Sequence, residues 1–285
     1  TGATLTALFG SGAAVNGCVS SLTESGIISL EAGAGIVVGS NTGSTIITHI
    51  TALGEFFEVS APCAVFLLIG FILYSTARPD ETRLNFGMIL IGAGFVLLGL
   101  KTLSTATKSL FAFNWFRTLF LIKSPPILLL NGFFISAVFQ SSSGASSVIV
   151  LLCGKNGLDF LSAAYIIVGA NIGSCVPLVF LERNRKKGKE VAVFNLLFNV
   201  LCAVCFFVIL PFFYERLKTI PANGESVAIF HTVLNVLTAF PALAFLNPLV
   251  DFTRKLCSSK TLSNAQKSKK RKKKSKNFKV YYLNN

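Results

Sequence analysis

The chain is 285 residues long, 52% hydrophobic and only 13% charged, with a mean hydropathy of +0.67, whereas soluble domains carry about 25% charged residues. That excludes an ordinary soluble globule. The net charge of +14 is not a nucleic-acid footprint either, because residues 251–285 hold 12 of the 26 Lys and Arg residues and the first 250 residues carry only +3.

In chain order, all 38 charged residues fall outside eight stretches: 1–23, 32–54, 59–77, 84–100, 124–154, 160–181, 191–214 and 226–250. About 20 apolar residues cross a bilayer core of roughly 30 Å as a helix. The expected fold class is therefore an all-α integral membrane protein, a polytopic helical bundle over 1–250. Residues 251–285, with the run Lys269 to Lys274, are expected as a disordered cytoplasmic tail that meets anionic lipid. No nucleic-acid partner is expected. The basic segments 101–123 and 182–190 should share the cytoplasmic side with the tail, while the acidic turn holding Glu24 and Glu31 should face outward. Phe111, Phe113, Trp115, Phe116 and Phe120 among the charges of 101–123 suit an interfacial helix. The location implied is a plasma or bacterial inner membrane, crossed several times.

An internal repeat organises the membrane domain. TGATLTALFGSG at 1–12 leads to VVGSNTGST at 37–45, and NGFFISAVFQSS at 131–142 leads to IVGANIGSC at 167–175. Both pairs of blocks align at one offset of 130, matching Gly2, Phe9, Ser11, Gly39, Asn41, Gly43 and Ser44 with Gly132, Phe139, Ser141, Gly169, Asn171, Gly173 and Ser174. The copies span about 1–54 and 124–181. A chain opening on Thr1 inside an apolar stretch implies further residues upstream.

Duplication of this kind marks many secondary transporters, whose substrates lie near the midplane at broken helices. Stretch 124–154, at 31 residues, is too long for one crossing, so it should break or re-enter at its polar centre, Gln140-Ser141-Ser142-Ser143-Gly144-Ala145-Ser146-Ser147. Hydroxyl, amide and carbonyl oxygens suit sodium, and hydroxyls with a half-helix N-terminus suit an oxyanion. With no Lys or Arg inside the eight stretches, an anion there calls for helix dipoles or cotransported cations. Asn41 and Asn171 should supply amides at a second chain reversal in each copy. Small residues in membrane helices also serve close packing, but the repeat-matched polar blocks favour a binding site. The seven cysteines read as small hydrophobes, including the C-x-x-C of Cys202 and Cys205. His231 reads as a hydrogen-bonded structural histidine, and His49, close to Glu55, as interfacial. Without a nucleophile-base pair, metal cluster or Walker sequence, neither an enzyme nor a resident cofactor or metal is expected beyond transported sodium.

Ala137-Val138-Phe139-Gln140-Ser141-Ser142-Ser143, followed by Gly169-Ala170-Asn171-Ile172-Gly173-Ser174, resembles the paired motifs of the type II sodium-dependent phosphate cotransporter family, particularly its bacterial branch. Phe194-Asn195-Leu196-Leu197-Phe198-Asn199 and Phe230-His231-Thr232-Val233-Leu234-Asn235 are similar to the family's recurring H-x-x-F-N elements. The resemblance implies inverted repeats, although loop counting alone gives a parallel pair. It also implies sodium-coupled import of inorganic phosphate by alternating access. Gln140, Ser141, Ser142 and Ser143 would form the core of the site, Asn171 and Ser174 would complete it, and Ser11, Asn41, Thr42, Ser44 and Thr45 would contribute from the first copy. That copy has degenerated, reading Gly10-Ser11-Gly12-Ala13 where the family has Q-S-S-S. A non-transporting sensor or scaffold and a transporter of another small anion are the alternatives this departure leaves open.

Overall fold

The computed structural model describes residues 1–54, 58–77, 81–153 and 158–258. Glu55 and the basic run beyond 258 lie outside them. The described residues are helical, apart from loops and an isolated bridge between Cys153 and Leu158. Four helices are long and apolar enough to cross a membrane: Glu81–Phe111, Phe160–Leu181, Lys187–Lys218 and Gly224–Ala244. The protein is a multi-pass membrane protein.

The first copy folds as α1 (Gly2–Phe9), α2 (Gly12–Glu24), α3 (Leu30–Gly43) and α4 (Thr45–Leu53). After α5 (Ser60–Ser75), α6 (Glu81–Phe111) and the short α7 (Asn114–Leu121), the second copy folds as α8 (Pro125–Phe139), α9 (Ser142–Leu152), α10 (Phe160–Gly173) and α11 (Val176–Leu181). Two long helices, α12 (Lys187–Lys218) and α13 (Gly224–Ala244), complete the bundle. Residues 246–258 form a further helix, so the first eight residues of the expected disordered tail are ordered.

The bounds of α3 and α10 differ by 130 residues, and their N-caps, Ser29 and Asp159, each accept from the backbone N–H three residues on. Small residues let the helices within each copy pack backbone to backbone. A Cβ on Gly2 would collide with the Ile36 carbonyl, and one on Gly132 with the equivalent Ile166 carbonyl. The core beside these contacts is built from Val37, Val38, Ile149, Ile166, Ile167, Phe194 and Phe198.

Contacts at the two ends of α12 orient the copies. At its start, the Lys187 and Gly188 N–H groups donate to Glu24 Oε2 at 2.7 and 2.8 Å, and nearby Arg254 pairs with Glu31 at 2.6 Å. At its far end, Tyr214 and Lys218 line a cleft with Lys123 and Asp159. Thus α3 starts at the Gly188 end and α10 at the Lys218 end, and matching helices run in opposite senses. This corrects two expectations. The acidic turn lies on the same end as 182–190, and the end of segment 101–123 lies on the opposite one. The reason is length: α1, with 8 residues, extends only about 12 Å at 1.5 Å per residue, so a hairpin of short helices returns without crossing and loop counting fails.

Candidate functional site

Each polar block breaks its helix by the same backbone device. Gly10 ends α1 in the left-handed region (φ 66°, ψ 14°), and Gln140 ends α8 there too (φ 55°, ψ 25°). The next residue, Ser11 or Ser141, is extended, and its Oγ accepts from the N–H of Ala14 at 3.2 Å or Gly144 at 3.1 Å. These serines N-cap α2 and α9, where unpaired backbone N–H groups and the helix dipole favour negative charge. Among the described residues, Gln140 alone is a non-glycine with positive φ. An L-residue held there costs about 1–2 kcal/mol, which glycine avoids.

The two breaks border one cavity of about 660 Å³, lined by Gly12, Ala13, Asn16, Gly17, Asn41, Ser44, Gln140, Ser141, Ser142, Ser143, Ser174 and Asn195, and on the side of the α11–α12 segment by Pro177, Leu178, Phe180, Leu181, Arg183 and Asn184. Seven expected site residues therefore meet here: Gln140, Ser141, Ser142, Ser143, Ser174, Asn41 and Ser44. The other four do not line it. Ser11 caps α2, Thr42 bonds back to the Val38 carbonyl and Thr45 to that of Thr42, and Asn171 lies in the layer behind.

That layer is a network of amides. Asn41 Nδ2 donates to Asn195 Oδ1 at 2.9 Å, and Asn199 Nδ2 approaches Asn41 Oδ1 at 3.3 Å and Cys175 Sγ at 3.2 Å. In the other half, His231 Nε2 pairs with Asn171 Oδ1 at 3.2 Å and its Nδ1 with Thr48 Oγ1 at 3.1 Å. His231 is fully buried, and both ring nitrogens have partners, as expected of a structural histidine. His49 meets Thr232 at 2.8 Å. Such a network fixes the second helix breaks, at Ser44 and Ser174, against α12 and α13.

Sequence reading missed Arg183, the one cationic side chain in this lining. It belongs to the segment 182–190, whose charges read as a topology signal. The segment is held by Glu24, whose carboxyl is kept below its usual range by the Gly188 N–H, then by those of Lys187 and Lys186, against the cost of burial. Asn16, Asn184 and Asn195 were also missed. Asn195 had one signal, its place in an H-x-x-F-N-like element.

Together, two opposed helix N-termini, a cluster of hydroxyls, several amides and a guanidinium can surround a small tetrahedral oxyanion. Amide and hydroxyl oxygens in the same lining can hold a hard monovalent cation. Among the described residues no group of three or more His, Cys, Asp or Glu is placed to hold a resident metal.

The Na+/Pi-cotransporter family matches residues 1–105 and 112–240. The chain belongs to that family, which is a transporter family. It is 26% identical over 258 residues to the protein named "Putative inorganic phosphate export protein YjbB" of Escherichia coli (strain K12), covering 88% of this chain and 46% of that protein. The Salmonella typhimurium protein of the same name is 24% identical over 260 residues, with the same coverage. The uncharacterized protein YqeW of Bacillus subtilis (strain 168) is 26% identical over 239 residues, covering 79% of this chain and 72% of that protein. The chain thus spans less than half the length of the YjbB proteins. No solved structure matches it.

Proposed function

We propose that this protein carries inorganic phosphate across the membrane together with sodium, by alternating access at the Gln140 cavity. The observation that carries the reading is the meeting of both helix breaks with Arg183 around one polar cavity. Phosphate oxygens would accept from the N-termini of α2 and α9, from Ser142 and Ser143, and from the Arg183 guanidinium. Sodium would take the Gln140 amide oxygen and neighbouring hydroxyls. The opposite senses of α3 and α10 support an inverted repeat, and so two related hairpins that can rock about a shared site. The C-terminus would be cytoplasmic, with the basic tail on anionic lipid.

Labelled phosphate uptake into proteoliposomes tests this. The full-length protein should take up phosphate under an inward sodium gradient and lose that uptake when choline replaces sodium. Uptake indifferent to sodium would reject the coupling, and none under any gradient would favour the sensor or scaffold reading. Competition with sulfate, arsenate and carboxylates separates phosphate from other anions. A second reading, export, is favoured by the name of the YjbB relatives. Sealed vesicles of known orientation, loaded with phosphate, distinguish it from import.

A further inference from the structure

Near the Gly188 end of the bundle, three buried oxygens have no hydrogen-bond partner: Asn16 Oδ1, Ser20 Oγ and Glu182 Oε2. Their residues are 5%, 0% and 1% exposed. Asn16 and Ser20 lie one turn apart on α2 and so share a face. Ser20 Oγ and Glu182 Oε2 converge over Gly188, where both crowd the position a Cβ would take, Ser20 Oγ at 2.9 Å from it. The absent side chain at Gly188 is what makes room for the carboxylate.

Among the described residues no donor satisfies that carboxylate oxygen. The Gly188 N–H is already given to Glu24 at 2.8 Å. Arg185 reaches only the other oxygen, Glu182 Oε1, at 3.4 Å, from a side chain 51% exposed. A buried carboxylate oxygen facing other oxygens is costly unless a proton or a cation sits among them.

We propose that Glu182, Ser20 and Asn16 form a binding site for a monovalent hard cation, sodium, distinct from the Gln140 cluster and adjoining its cavity through Asn16. Carboxylate, hydroxyl and amide oxygens are the ligands such ions take. The one carboxylate already shares its charge with Arg185 through Oε1, and flanking Arg183, Lys186 and Lys187 add further positive charge, which disfavours a divalent ion. The site joins α2 to the segment that carries Arg183, so a bound cation would hold that guanidinium at the cavity that Asn16 also lines. This link to the cavity rests on the phosphate reading; cation binding itself does not.

The test is equilibrium binding of labelled sodium to the purified full-length protein in phosphate-free buffer, at constant ionic strength kept with choline, with thermal stability followed in parallel. Wild type should bind sodium saturably and gain stability that choline does not confer. Glu182→Gln should weaken one saturable component by about tenfold or more, the usual effect of disturbing a metal-site ligand or its support, and Ser20→Ala should weaken the same component less. Gln140→Gly should leave it in place. Should Glu182→Gln not fold, Ser20→Ala decides, since it keeps the carboxylate. Wild-type affinity and stoichiometry in both variants, or in Ser20→Ala alone when Glu182→Gln is lost, would overturn the proposal. Sodium binding that depends on Glu182 without any phosphate uptake would reject the transport reading and leave this site standing.

Discussion

The two helix breaks share a backbone and differ in side chains. Gly10 and Gln140 both turn the chain in the left-handed region, and Ser11 and Ser141 both cap the helix that follows. Stability alone selects glycine at such a turn, as the first break has. The second keeps a strained glutamine beside Ser142 and Ser143, facing the same cavity. The first break therefore shows what the architecture requires, and the second shows which side chains it can carry beyond that. The degenerate copy still supplies its helix N-terminus to the cavity lining through Gly12 and Ala13.

The largest effect should come from breaking what the copies have in common. Gly2→Val and Gly132→Val each drive a side chain into a backbone carbonyl of the neighbouring helix, and each should destabilise by more than about 3 kcal/mol. Loss of monodisperse protein on gel filtration in detergent checks both. A smaller effect, confined to binding, is expected for Arg183→Gln. It removes a charged donor worth about 1.5–3 kcal/mol, so phosphate affinity should fall about tenfold or more while thermal stability holds, as equilibrium binding of labelled phosphate would report. Ser11→Ala and Ser141→Ala should each cost about 1 kcal/mol through loss of an N-cap, visible as similar drops in thermal stability. Unequal drops would mean that the breaks are not equivalent in structure. A comparable effect is expected for Gly10→Gln, which has room, the nearest atom to a new Cβ being Ile47 Cδ1 at 3.9 Å. It should lose about 1 kcal/mol to backbone strain, measured by the same melts.

Much of this comparison was legible in the residues. The break at Gln140 announced itself because hydroxyls and an amide interrupt a stretch too long for one crossing, and the offset of 130 paired it with Gly10. The membrane class followed from the charge-free stretches. What could not be read was which side each hairpin faces, since α1 and α8 turn back at a single residue and leave no loop to count. Asn16 was invisible for another reason, and Asn195 and Asn199 showed only through their place in an H-x-x-F-N-like element. A lone amide in an apolar run gains meaning only from its partner, and Asn41 meets Asn195 across 154 positions of chain. Arg183 and Glu182 were hidden inside a run of charges that has a sufficient explanation in topology. Only packing reveals that one faces the cavity and the other is buried.

Gln140→Gly tests the central claim most directly, because it converts the second break into the first without disturbing the turn. Sodium-driven uptake of labelled phosphate would be measured for this variant and wild type, reconstituted at equal density and checked by thermal melting. The account predicts a variant as stable as wild type or slightly more so, by relief of the left-handed strain, with uptake reduced about tenfold or more, as for loss of a polar group that contacts the transported ion. Wild-type uptake and sodium dependence in a protein of unchanged stability would contradict it, leaving Gln140 a turn residue and the cavity without its proposed ligand.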